Sequence, residues 1–127
     1  MKSSKLLPLA LIAATLSGTA LAECNEPAVA VVVPDGATAT KEAMLGAKKA
    51  IADLNAAVSD YQGCLDSERD ARIAAGGDKL TDADRTKIAN EYVTRANTVV
   101  DKLQKLADKF NLEVRAYKAK QAPAPAQ

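Results

Sequence analysis

Two long segments with an apolar residue at every third or fourth position constrain the fold of this chain more than any other feature. The first segment covers residues 41–75 and the second covers residues 82–120. Such spacing puts apolar side chains on one stripe of an α-helix. Gly76 and Gly77 lie between the segments and favour a helix stop. The sequence therefore predicts an all-α protein, a two-helix antiparallel, coiled-coil-like hairpin with its turn at residues 76–81.

The stripes and the residues that flank them are regular. The first stripe consists of Met44, Ala47, Ile51, Leu54, Val58, Tyr61 and Leu65, and the second of Ala89, Tyr92, Ala96, Val99, Leu103, Leu106, Phe110 and Tyr117. A row of small residues borders the first stripe: Ala43, Ala50, Ala57, Cys64 and Ala71. Thr38 or Thr40 can cap the first helix, and Thr81 with Asp84 can cap the second.

Residues 1–22 have the layout of a secretory signal peptide. Lys2 and Lys5 precede an apolar run over residues 6–16, and a small-residue site ends at Ala22. The run is too short for a membrane span, and we expect cleavage after Ala22 and a location in the periplasm or outside the cell. Cys24 raises the alternative of a lipoprotein, but lipid attachment favours a small residue where Glu23 stands.

The chain holds two cysteines, Cys24 and Cys64. An even pair in a small exported domain favours a disulfide, whose closed loop of about 40 residues would stabilise the fold by about 4 kcal/mol. A reactive thiol is the alternative, but the sequence offers neither cysteine a nearby cationic neighbour.

The sequence of residues 23–40, called the strap below, predicts an extended segment. Pro27 and Pro34 exclude a helix interior, and residues 29–33 are apolar and rich in valine. From Cys24 the strap can reach about 53 Å, whereas the helix from Thr40 to Cys64 rises about 36 Å. The disulfide would therefore pin the strap back along the first helix, with alternate valines against the alanine row. Residues 121–127 are predicted to form a disordered Pro/Ala tail.

Catalytic and metal chemistry find little support. Histidine is absent, so Ser59 and Ser67 lack the commonest base. The acidic cluster from Asp66 resembles a calcium loop, but Ala71 and Gly77 occupy the positions that need Gly and Glu. We predict a protein that is not an enzyme and that holds no cofactor and no metal.

Charge is uneven along the chain, although the whole carries a net charge of +1. Residues 53–84 hold eight acidic side chains against three basic ones, and residues 102–120 hold six basic against two acidic. The predicted basic tip consists of Lys109, Arg115, Lys118 and Lys120. Helix dipoles account for this distribution, and the alternative is a basic tip that makes weak contact with phosphate-rich lipid or binds an acidic partner. With four aromatic residues, the chain offers no stacking surface for nucleic acid.

A second apolar row on the second helix is the candidate partner-binding surface: Val93, Val100, Ala107 and Val114. Beside it runs a row of amides: Asn90, Asn97, Gln104 and Asn111. In an antiparallel pair the valine row faces away from the alanine row, so the strap would leave it uncovered unless the helix were modestly rotated. An uncovered apolar row predicts a homodimer forming a four-helix bundle, or a groove for an envelope protein.

Four short motifs carry a resemblance to a known group. They are Cys24 soon after the signal, Pro34-Asp35-Gly36 followed by Thr38, Thr40 and Met44, Tyr61-Gln-Gly-Cys64-Leu65, and the stretch from Phe110-Asn111 to Tyr117. Together they resemble a group of small exported helical proteins of proteobacteria that has no assigned activity. The resemblance implies a periplasmic location and paired cysteines, and it implies no active site.

The sequence therefore favours a non-catalytic periplasmic protein with a structural or protein-interaction role. A holdase-like chaperone is the alternative, and an inhibitor of an envelope enzyme is a further one.

Overall fold

A computed structural model describes residues 23–122 of the chain. Helix α1 spans Lys41–Gly76, a single 3-10 turn spans Gly77–Lys79, and helix α2 spans Asp82–Gln121. The antiparallel hairpin predicted from the sequence is confirmed, and each helix extends one residue further than predicted. The signal peptide predicted at residues 1–22 and most of the predicted tail, residues 123–127, lie outside the described residues.

Local chemistry sets the helix ends. Thr40, rather than Thr38, caps α1, accepting a hydrogen bond from the Ala43 amide at 3.1 Å. At the other end Gly77 adopts a positive φ of 50° and donates its amide to the Ala74 and Ile73 carbonyls. A side chain is strained at that backbone angle, which explains glycine there.

A reciprocal capping box begins α2. The Thr81 hydroxyl accepts from the Asp84 amide at 3.2 Å, and the Asp84 carboxylate accepts from the Thr81 amide at 3.0 Å. The Thr81 hydroxyl also donates to that carboxylate, and these hydrogen bonds lower the pKa of Asp84. The sequence signal for a helix start at Thr81 is thus confirmed atom by atom.

The core lies along the seam between the two helices. Its most buried members are Val99, Leu65, Val58 and Tyr92, each exposed by 4% or less. Ile51 of the predicted first stripe is only half-buried, whereas Ile88, outside the predicted second stripe, is buried. Because the hairpin has only two helices, each core residue lies one layer of side chains from solvent. The core is therefore long and narrow.

The strap is extended and is pinned by the predicted Cys24–Cys64 disulfide. The two Cα atoms lie 5.8 Å apart, within the usual range for a disulfide. Val29 and Val31 pack against the core cluster, while Ala30 between them is exposed and Val32, which follows them, is 85% exposed. This alternation is that of a strand with one buried face, although residues 23–40 form neither strand nor helix.

Candidate interaction surface

The hairpin has two long flanks, which the structure leaves in different states. The strap flank carries residues 23–40, tied to both helices. The open flank is the opposite side of the α1–α2 seam, and none of the strap residues lines it. Different residues of α1 line the two flanks.

At its start the strap is held by a polar network around the disulfide. The Glu68 carboxylate accepts from the Tyr92 hydroxyl at 3.1 Å and from the Cys24 amide at 3.4 Å. Arg95 donates to the Cys24 carbonyl at 3.4 Å and lies 3.5 Å from Glu68. The Arg95 guanidinium also lies 5.4 Å from the centre of the Tyr92 ring, in cation–π contact.

Electrostatics in this network favour the charged guanidinium. Partial burial of Arg95 acts to lower its pKa, but hydrogen bonds and charges from Tyr61 and Glu68 outweigh it and raise the pKa. Arg95 is therefore a permanent cation that links the strap carbonyl to the Glu68 carboxylate. The network fixes the start of the strap against both helices.

The far end of the strap is clasped by α2. The Gly36 amide donates to the Glu113 carboxylate at 2.8 Å, and Gly36 is buried against the α2 backbone. Lys120 donates to the Ala39 carbonyl at 3.1 Å, and farther back Lys102 pairs with Glu26 at 2.5 Å. The strap was expected to lie on the alanine row of α1, but most of its polar contacts are with α2.

The open flank is a groove of about 640 Å³ between the helices. Its apolar lining consists of Ile51, Ala52, Val58, Val100, Leu103, Ala107 and Phe110. Its polar lining consists of Asn55, Ser59, Gln62, Gln104, Asn111 and Lys48. Lys48 is the one charged residue of this lining. The groove can therefore accept an apolar surface and offer neutral donors and acceptors around it.

The structure divides the predicted valine row. Val100 and Ala107 line the groove, and Val100 is 37% exposed. Val93, one heptad toward the turn, is 50% exposed, and Val114 lines a neighbouring shallow pocket with Leu112 and Arg115. The row thus runs along the open flank, with its two middle members in the groove and its two outer members beyond the groove's ends.

The predicted basic tip is only partly available. Lys109, Arg115 and Lys118 are exposed. Lys120 instead holds the strap through Ala39, and its ammonium lies 5.9 Å from the centre of the Tyr117 ring. The tip therefore contributes one of its four cations to the fold.

Three groove residues of α1 were missed by the sequence analysis, which followed the apolar stripe. Lys48, Asn55 and Gln62 recur every seven residues and so share one edge of the groove. Their heptad spacing was the available signal, and it pairs with the amide row of α2, of which Gln104 and Asn111 line the opposite edge.

Comparisons with family models, with curated proteins and with solved structures find no match for this chain. Within residues 23–122, neither helix is long and apolar enough to cross a membrane. In the same range, no three acidic or cysteine side chains converge as ligands for a metal ion. The disulfide is compatible with an oxidising, exported location.

Proposed function

We propose that this protein is exported to the periplasm and acts there without catalysis, by binding a protein partner on its open flank. The observation that carries the proposal is the groove between α1 and α2, apolar along its centre and edged by amides. Its lining resembles the core of a protein interface, where charges are depleted. On the strap flank the strap covers the seam between the helices. On the open flank the strap leaves that seam uncovered.

Binding requires both the open flank and its partner to lose water from the surfaces that meet. Val100 and Val93 expose a third to a half of their surface, and covering each adds to the hydrophobic free energy of binding. The edge amides cost less to desolvate than charges would, and a partner's polar groups can pair with them. The groove therefore favours an apolar helix face over a charged ligand.

Ser59 is the only hydroxyl of the groove, and its surroundings support a role without catalysis. A nucleophilic serine needs a base within hydrogen-bond reach. The groove lining contains no carboxylate, and Lys48 lies eleven residues, or about 16 Å, away along α1. Ser59 thus serves the groove as a neutral donor and acceptor.

Export is supported by the basic and apolar sequence of residues 1–22 together with the disulfide. Cleavage after Ala22 would make Glu23 the first residue. The second residue, Cys24, would then be the one that forms the disulfide with Cys64. The resemblance to small exported proteobacterial proteins points the same way. Intact mass of the protein from the periplasm should match residues 23–127 with two hydrogens missing, and a mass that includes residues 1–22 would contradict export with cleavage.

A photo-crosslinking residue placed at Val100 in the exporting cell tests the binding surface. We expect specific crosslinked products, and we expect their loss when Ala107→Glu puts a charge into the groove. The matched control is the same residue at Val32, which is exposed on the outer face of the strap. Equal crosslinking from Val100 and Val32 would contradict a role for the open flank.

A holdase-like chaperone is a second candidate, favoured by one observation. On the strap flank the hairpin already holds an extended segment with alternate valines facing the core. The groove on the other flank would then accept similar segments of unfolded proteins. Suppression of aggregation of a model protein at substoichiometric dose, lost in Ala107→Glu, would support this candidate; capture of a single folded partner would contradict it.

A further inference from the structure

We infer that the occupant of the open flank is a second copy of this chain, packed antiparallel to the first in a two-fold symmetric four-helix bundle. The inference rests on the proposed function, since it names the partner for the same groove. A two-fold interface must be self-complementary: each residue i that faces j requires that j face i. Residues along the open flank, in the groove and beyond its ends, form such pairs on both helices about one axis.

On α2 the valine row is symmetric about its own middle. Val93 and Val114 lie equally far from a point between residues 103 and 104, and so do Val100 and Ala107. An antiparallel copy centred there would place Val93 against Val114 of the second copy and Val100 against Ala107 of the second copy. Each exposed valine of the row then meets an apolar partner.

On α1 two opposite charges, Lys48 and Asp66, lie equally far from residue 57. Lys48 lines the groove, and Asp66 follows it by 18 residues, which is five complete helical turns, so both lie on one face. An antiparallel copy centred at residue 57 would bring Lys48 to Asp66 of the second copy, and Asn55 to Ser59 of the second copy. Asp66 lies outside the groove lining and pairs with Arg69 of its own helix at 2.8 Å, and in the dimer this exposed carboxylate would also face Lys48 of the second copy.

The two centres lie at one level of the hairpin. Glu68 contacts both Tyr92 and Arg95, which sets the register of α1 against α2. Because the helices run in opposite directions, moving eleven residues back from Glu68 to residue 57 corresponds to moving eleven forward on α2, to residues 103–106. A single two-fold axis through this level therefore pairs both helices at once. A heterologous partner would have no need of this coincidence.

Gln104 would lie on the axis. Its side chain faces the groove and donates to Asp108 at 2.9 Å, so its amide oxygen can still accept. Two Gln104 amides meeting at the axis would hydrogen-bond to each other, and such a polar pair beside the apolar row would fix the register. If the two hairpins packed in parallel instead, Gln104 would face α1 of the second copy.

Sedimentation of the oxidised protein, with Val100→Glu and Val32→Glu as matched variants, tests the dimer. We expect wild type and Val32→Glu to sediment at twice the monomer mass. Val100→Glu should dimerise at least tenfold more weakly, since it buries an unpaired carboxylate. Unchanged helical circular dichroism will show that the variants fold. A monomeric wild type, or equal dimerisation of both variants, would overturn the inference.

Oxidative crosslinking tests the orientation. Gln104→Cys should form an interchain disulfide in the dimer. Lys118→Cys should not, because residue 118 of each copy lies about 40 Å from its counterpart in the antiparallel arrangement. Crosslinking of Lys118→Cys with none of Gln104→Cys would overturn the antiparallel arrangement.

The photo-crosslinking experiment separates this inference from the proposed function. A monomer whose Val100 position still captures another protein would overturn the dimer and leave the open flank as a binding surface. A monomer with no specific product from Val100 would overturn both.

Discussion

The two flanks of the hairpin are built from the same pair of helices, yet one is closed by the chain itself and the other is left open. Five ionic side chains hold the strap on the strap flank. Four of them bind its backbone, namely Glu68, Arg95, Glu113 and Lys120, and Lys102 binds the Glu26 carboxylate. The open flank offers amides at its edges and one cation, Lys48. Charged side chains thus hold a fixed internal segment, and neutral ones border the surface proposed for a partner.

The difference between the two flanks has a physical basis. Hydrogen bonds that involve a charged group are worth more than neutral ones, and a covalent tether holds the strap close to its partners. The strap flank can therefore use half-exposed charges to hold 18 residues that form no secondary structure. A surface that binds a separate molecule must first be desolvated, which favours amides and valines over ions.

Removing the disulfide should affect the strap flank most. The double variant Cys24→Ser with Cys64→Ser is expected to lose up to about 4 kcal/mol of unfolding free energy, because the loop of the unfolded chain is no longer closed. Urea denaturation measures this loss. Limited proteolysis should then cut before Pro34, while helical circular dichroism stays largely intact. Wild-type stability in the double variant, or loss of all helix, would contradict the strap as a tethered cover.

Gly36→Ala should break the strap at its other end. An added methyl group would overlap the Glu113 carbonyl oxygen and lie 2.8 Å from the Tyr117 nitrogen, both fixed parts of α2. We expect a loss of up to about 3 kcal/mol, measured by urea denaturation. The matched control is Gly46→Ala, which meets no atom within 4 Å and should stabilise α1 by about 0.5–1 kcal/mol. Equal effects of the two variants would contradict the clasp.

Two neighbouring valines separate folding from binding. Val99 is fully buried in the seam, and Val100 faces the open groove. Val99→Ala is expected to cost about 2 kcal/mol of unfolding free energy, whereas Val100→Ala should change monomer stability by less than about 0.5 kcal/mol. Urea denaturation at protein concentrations below the dissociation constant of the dimer measures both changes in unfolding free energy. A larger stability loss from Val100→Ala than from Val99→Ala would reverse the assignment of the two faces.

The fold was predictable because its signals are local. Heptad spacing gave both helices, Gly76 and Gly77 gave the stop, and Thr81 with Asp84 gave the second start. The pairing of Cys24 with Cys64 followed from there being two cysteines. Each of these signals is contained in a short stretch of sequence or in a count, and the structure reproduces them.

The details of the strap flank were not predictable. Gly36 with Glu113 and Ala39 with Lys120 are separated by 77 and 81 residues, and no periodicity links them. The sequence predicted Lys120 as part of the basic tip. Its hydrogen bond to the Ala39 carbonyl joins residues far apart in the chain, so only the structure shows it. The valine row of the open flank was predictable from heptads, but the edge formed by Asn55 and Gln62 required knowing which face of α1 the strap leaves free.

Hydroxyl-radical footprinting of the oxidised protein, read residue by residue in wild type and in Val100→Glu, tests the difference between the flanks directly. Val29 and Val31 report on the strap flank, and Leu103 and Phe110 report on the groove. We expect oxidation of Leu103 and Phe110 to rise in the variant while Val29 and Val31 stay unchanged. Equal oxidation of Leu103 and Phe110 in both proteins would contradict a dimer through the open flank, and an equal rise on both flanks would contradict one closed flank and one binding flank.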